Sequence, residues 1–203
     1  MRTGKLFASM LVMSVIFCLS ASAFGGKGNS LGNQSGILTL PDSETVTLKF
    51  MREEEKLARD VYLAMEDNWG SAIFQHIADS EQRHMDAIKT LLDKYSIPDP
   101  AAEELGVFSD PELQALYDEL TVRGMASEMD AFMVGAFIEE VDIEDLRNAI
   151  AETDKIDLWA VYGNLLSGSI QHLKAFVAHI EALGISYEAQ HLTQEEVDAL
   201  LAE

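Results

Sequence analysis

Residues 71–95 read SAIFQHIADSEQRHMDAIKTLLDKY. Phe74, Ile77, Glu81, His84, Ile88, Leu91 and Tyr95 recur at alternating spacings of three and four, the period of one helix face. Five of the seven are apolar or aromatic, so this face is predicted to point inward. The two in the middle are Glu81 and His84, three residues apart and therefore on the same side of the helix. A carboxylate and an imidazole buried together are costly unless each finds a strong partner. A metal ion is one such partner, and Glu-x-x-His is the spacing that di-metal helix bundles use.

The same face repeats 88 residues later as Tyr162, Leu165, Ser169, His172, Phe176, His179 and Leu183. His172 takes the place of His84, and Ser169 falls where a second glutamate would match Glu81. Two more helical stretches carry inward acids. Met51, Glu55, Ala58, Tyr62 and Met65 form one stripe, with Glu54 on a competing stripe and Glu53 read as solvated. Phe132, Ala136, Glu139, Ile143, Leu146 and Ile150 form the other. Glu140 is the alternative to Glu139, but that register carries Arg147 onto the inner face. Asp142 lies one turn from Glu139 and is a candidate for the carboxylate that Ser169 does not supply. The candidate metal ligands are thus Glu55, Glu81, His84, Glu139, Asp142 and His172.

Four long helices are expected, at about 43–68, 71–95, 127–152 and 155–183, with no alternating strand pattern. Between the second and third, Ser96-Ile97-Pro98 and Pro100 open a long connection. It contains a short helix from Pro111, for which Ser109 is the expected cap and Glu112 the capping-box partner. A last short helix follows Thr193, whose capping-box partner is Glu196. The expected class is all-α: a four-helix bundle over 43–184 with a long crossover between its second and third helices, then a tail over 185–203.

These stretches resemble a known superfamily. Glu55-x-x-Ala58-x-x-Val61-Tyr62-Leu63-x-Met65 is similar to the first metal-binding helix of ferritins, and Ser80-Glu81-Gln82-Arg83-His84-Met85 to the second. The likeness extends over about Val46 to Leu183 and is greatest toward an uncharacterised bacterial and archaeal ferritin-like family. Glu54-Glu55-Lys56-Leu57-Ala58-Arg59-Asp60-Val61-Tyr62, Ile138-Glu139-Glu140-Val141-Asp142-Ile143 and Gly168-Ser169-x-x-His172-Leu173 carry it. The resemblance implies a ferritin-like fold, with Glu55, Glu81, His84, Glu139 and His172 at ligand positions. Ser169 departs from the superfamily's second Glu-x-x-His.

Outside this region, Arg2 and Lys5 precede an apolar run, Leu6 to Leu19, and the small residues Ala21-Ser22-Ala23. That layout reads as a secretory signal peptide over 1–23, cleaved after Ala23. A secreted or periplasmic protein with no stable membrane insertion after cleavage is then expected. Residues 24–42, rich in Gly, Ser and Asn, read as a flexible linker. Cleavage would remove Cys18, the only cysteine, and shift the formal charge from −21 to −23. So acidic a chain argues against nucleic-acid partners. Metal ions are the expected partners, with an external electron donor if redox chemistry occurs, since no cysteine-rich electron-transfer module is present; oligomeric assembly is left open.

Mixed carboxylate and imidazole ligands suit iron, foremost a di-iron pair, with manganese or a mixed pair as alternatives. The expected activity is a di-metal oxidoreductase acting on oxygen, peroxide or ferrous iron. The alternatives are a single-metal binding, storage or sensing protein without turnover, and a structural bundle with a degenerate site.

Overall fold

The computed structural model describes residues 39–202. The signal peptide and all but the end of the linker read from residues 1–42 lie outside that range. Six helices and no strands occur among the described residues. They are α1 (Asp42–Trp69), α2 (Ala72–Lys94), α3 (Pro111–Gly124), α4 (Glu128–Glu152), α5 (Ile156–Ala182) and α6 (Gln194–Ala202). The four long helices begin and end within a residue or so of the expected positions. Gly70 ends α1 in the left-handed conformation (φ 64°) and returns its N–H to the carbonyl of Glu66.

α1 packs chiefly on α2, and α4 on α5; α2 meets α5, and α1 meets α4. The segment between α2 and α4 lays α3 against both α1 and α4. No described helix is long and apolar enough to cross a membrane.

The apolar core comes in two parts. One gathers Tyr62, Phe74, Phe132 and Phe176 with residues of α3 and α6. Its rings pack closely, Phe74 stacking on Phe132 at 5.3 Å and Tyr62 tilted against Phe176 at 5.3 Å. The other gathers Leu48, Met51, Ile88, Leu92, Leu146, Tyr162 and Leu165. Along α1, α2 and α5 the residues between the two parts include Glu55, Glu81, His84, Ser169 and His172, all buried. A polar layer therefore crosses the molecule between two dry halves.

The middle of α1 is buried nearly all round, because residues 99–110 and α3 pack over it. Its charged residues hold that segment down. Arg52 grips Asp99 with Nε at 3.0 Å and Nη2 at 2.9 Å. Lys56, fully buried, donates to Asp60 and to the carbonyl of Glu104 at 2.8 Å, and lies 4.5 Å from the centre of the Phe108 ring. Asp60 also accepts from the Arg59 guanidinium and from the N–H of Gly106 at 2.9 Å. Glu53 accepts the N–H groups of Ser109 at 2.6 Å and Asp110 at 3.1 Å. The expectation that Glu53 is solvated fails for this reason: helical periodicity cannot see a loop returning over the outer face.

Two further details differ from the sequence reading. The cap of α3 is Asp110, which accepts from the N–H groups of Glu112 and Leu113, while Ser109 turns its hydroxyl to the carbonyl of Pro100 at 2.7 Å. The α5 stripe holds from Tyr162 to Phe176, but His179 and Leu183 are exposed and Val177 and Ile180 face inward. A repeat of 3.5 drifts by roughly 20° per heptad against a helix of 3.6 residues per turn, and at the end of α5 the buried face has moved round to Val177 and Ile180. The second capping box is present: Thr193 and Glu196 exchange hydrogen bonds, with the Thr193 N–H to Glu196 at 3.0 Å.

Candidate metal centre

Glu55 from α1, Glu81 and His84 from α2, Glu139 and Asp142 from α4, and His172 from α5 are all buried. Five of these six converge in two sets. Glu55, Glu81 and His84 bring one ligand atom each to within 4.8 Å of one another, and so do Glu81, Glu139 and His172. Glu81 belongs to both. His84 Nδ1 lies 3.1 Å from Glu55 Oε2, aligned as a hydrogen bond, and 2.7 Å from Glu81 Oε2 without that alignment. His172 Nδ1 lies 2.7 Å from Glu81 Oε1 and 3.5 Å from Glu139 Oε2. The two imidazole rings stack at 5.5 Å, one on each oxygen of Glu81.

Asp142 joins neither convergent set. Its Oδ2 accepts from the Ser169 hydroxyl, which also donates toward the carbonyl of Leu165 at 3.0 Å. Thus Ser169 positions a carboxyl beside the centre in place of supplying one. The choice between Glu139 and Glu140 is resolved by their partners. Glu140 points away and accepts the Tyr187 hydroxyl and the N–H groups of Gln190, His191 and Leu192, the last two at 2.6 and 2.8 Å, tying the segment before α6 to α4.

Three buried atoms here have no hydrogen-bond partner, Glu55 Oε1, Asp142 Oδ1 and Glu54 Oε2, while Glu81 Oε1 and His172 Nδ1 meet each other at 2.7 Å without hydrogen-bond alignment. Buried polar atoms are seldom left so, and a cluster of them calls for a missing partner. Three carboxylates and two imidazole nitrogens around shared space form a donor set that suits a pair of divalent transition-metal ions.

The electrostatics follow from burial and crowding. Burial would raise Glu81, but His172 and His84 outweigh it and draw its carboxyl down to about 2. Burial would lower His84, but Glu55 and Glu81 hold it up at about 11. His172 is likewise depressed by burial and held up at about 10 by Glu139 and Glu81. Burial, then the charge of Asp142, pushes Glu55 well above the ordinary carboxyl range. Burial and the charge of Glu139 push Asp142 up to about 8. Without an ion, the Glu81 carboxylate sits between two imidazoles whose protons its charge favours, while burial pushes the surrounding acids upward.

Two residues that are not among the candidate ligands also shape the centre. The Tyr62 hydroxyl donates to Glu139 Oε1 at 2.6 Å while its ring packs on Phe176, so it is both a packed aromatic and an orienting group. It lies seven residues from Glu55 on the same stripe, the signal that places it at the centre. Gly168 leaves room for the His84 ring: a Cβ there would stand 2.6 Å from His84 Nε2 and 2.7 Å from Cε1. Gly168→Ala is therefore expected to displace His84 and weaken Mn²⁺ binding at its set by about 10-fold or more, the scale seen when a ligand's support is lost. Alanine favours the helix over glycine, so misfolding would not explain the loss. A Mn²⁺ titration with unchanged affinity would refute this role.

Residues 44–203 match a family described as an uncharacterised protein domain, DUF2202. This chain belongs to the DUF2202 family. It is 47% identical over 164 residues to the uncharacterised protein MJ0754 of Methanocaldococcus jannaschii, covering 80% of this chain and 89% of that protein. The crystal structure of the hypothetical protein MJ0754 superimposes with a TM-score of 0.79 at 45% identity, over 86% of this chain and 98% of that one. The all-helical architecture of this DUF2202 protein is thus shared with an experimentally determined relative.

Proposed function

We propose that this DUF2202 protein is a ferritin-like four-helix bundle, built of α1, α2, α4 and α5 with α3 in the crossover, that holds two metal ions. Glu55 and His84 would hold one ion, Glu139 and His172 the other, and Glu81 would bridge them. The observation carrying this reading is that Glu81 faces both imidazoles at 2.7 Å and belongs to both ligand sets. We take the bound pair to be iron, or iron with manganese, and the activity to be oxidation–reduction of oxygen, peroxide or ferrous iron. The chemistry such a pair supplies when bound is two electrons at one place.

The chain's own residues do the rest. Tyr62 fixes the orientation of Glu139 through its hydroxyl. Ser169 holds Asp142 so that its Oδ1 can carry a proton beside the centre. The dry halves above and below exclude water. The signal-like residues 1–23 support export to the periplasm or beyond. Ser169 favours a second reading, a single ion held without turnover, because α5 brings His172 to the centre without a glutamate beside it. Oxygen or peroxide consumption by the protein loaded with ferrous iron tests the activity. Turnover supports an enzyme; stoichiometric binding of one ion with no consumption supports the second reading.

Binding must displace protons from both imidazoles, which are protonated around neutrality. Mn²⁺ affinity is therefore expected to rise by more than about tenfold per pH unit between roughly pH 6 and 8. Protons occupy the nitrogens at low pH and leave as pH climbs, so the sign is upward. Calorimetric titration across that range, with proton release measured from buffers of different ionisation heat, checks it. A flat profile would mean that the histidines are not ligands.

A further inference from the structure

Beside the centre, a small cavity of about 20 Å³ lies between α1, α3 and α4. That is room for a single water-sized occupant. Its walls are apolar, formed by residues such as Leu57, Leu113, Leu116 and Phe137, except for the carboxyls of Glu54 and Asp142. Each of these has an oxygen with no partner, Glu54 Oε2 and Asp142 Oδ1, and both residues are more than nine-tenths buried. Asp145, one turn beyond Asp142 on α4 and half-buried, brings its carboxyl within hydrogen-bonding reach of Glu54. No Lys, Arg or His forms an ion pair with any of the three among the described residues. Three acids outside any ion pair thus lie in order of burial, Asp145 half-buried and Glu54 and Asp142 buried at the cavity.

We propose that Asp145, Glu54 and Asp142 form an acidic passage under α3 that takes a divalent cation from solvent and delivers it to the two-metal centre. This rests on the two-metal reading above. The donor set is all oxygen, which selects a hard divalent ion such as Mn²⁺ or Fe²⁺ over soft ions. Apolar walls concentrate the field of the carboxylates along the passage. Asp142, kept out of both ligand sets by Ser169, becomes the hand-over point between passage and centre. The lysine and arginines nearby on α1 are committed to Asp60 and Asp99, which leaves the three acids free for a cation.

The test follows uptake of Mn²⁺ by the full mature chain, using loss of the free-ion electron paramagnetic resonance signal after rapid mixing. The passage predicts that E54Q/D145N loads at least tenfold more slowly than wild type yet reaches the same two-ion endpoint. D145N alone, at a half-exposed position, is expected to slow loading several-fold with unfolding temperature unchanged, which guards against a folding defect in the double variant. Wild-type loading rates in both variants would overturn the passage. An E81Q protein that still binds two ions would instead overturn the centre shared through Glu81, leaving the passage to be judged by the first two variants.

Discussion

Glu81→Gln is expected to strip both metal ions at once. The substitution keeps the volume of the side chain and removes the charge that faces His84 and His172, each 2.7 Å from one of its oxygens. Loss of an outer hydrogen-bonding partner typically weakens a metal site by about 10–100-fold, so loss of a shared ligand should exceed about 100-fold at both ions. Glu55→Gln and Glu139→Gln belong to one set each and should each weaken one ion while sparing the other. Titration of all three variants with Mn²⁺ separates the outcomes. If Glu81→Gln loses one ion and keeps the other at wild-type affinity, the carboxylate is not a bridge.

Asp60→Ala is expected to cost about 3–5 kcal/mol of folding stability, the range for removing one partner of a buried ion pair. It strands the fully buried Lys56 ammonium, whose other supports are the carbonyl of Glu104 and the ring of Phe108. It also frees the Arg59 guanidinium and the Gly106 N–H. For a domain of this size the unfolding temperature should fall by roughly 10 °C. The double variant Lys56→Met/Asp60→Leu removes both charges and should recover about half of the loss, since burying a pair is expensive to begin with. Thermal unfolding of the metal-free protein measures both. A fall of less than about 1 kcal/mol for Asp60→Ala would show that water reaches Lys56.

The helices and the centre were legible in the sequence to the degree that they depend on period. Met51 to Met65, Phe74 to Tyr95 and Phe132 to Leu146 face inward as their spacings require, and the polar residues in the middle of each stripe meet in one layer. What could not be read depends on chain segments that come back from far away. Glu53 is buried because the segment before α3 returns to it at Ser109 and Asp110, and Glu140 because residues 187–192 fold onto α4. Both are carboxylates holding backbone N–H groups, and nothing in the helical pattern marks which acid will receive a loop. Gly168 was hidden for a different reason. Its use is the absence of a side chain against His84 on another helix, and absence leaves no periodic mark. Ser169 stands where the 88-residue repeat places the counterpart of Glu81, a departure plain from the sequence. Only its contact with Asp142 shows how the departure is accommodated.

The most direct measurement is a crystal structure of the protein grown with Mn²⁺ or Fe²⁺, with ions placed by anomalous scattering and counted in solution by elemental analysis. Two ions per chain are predicted, both bound by Glu81, with Glu55 and His84 on one and Glu139 and His172 on the other. Fewer than about half an ion per chain after loading, or ions bound without Glu81, would contradict a two-metal centre built on this shared carboxylate.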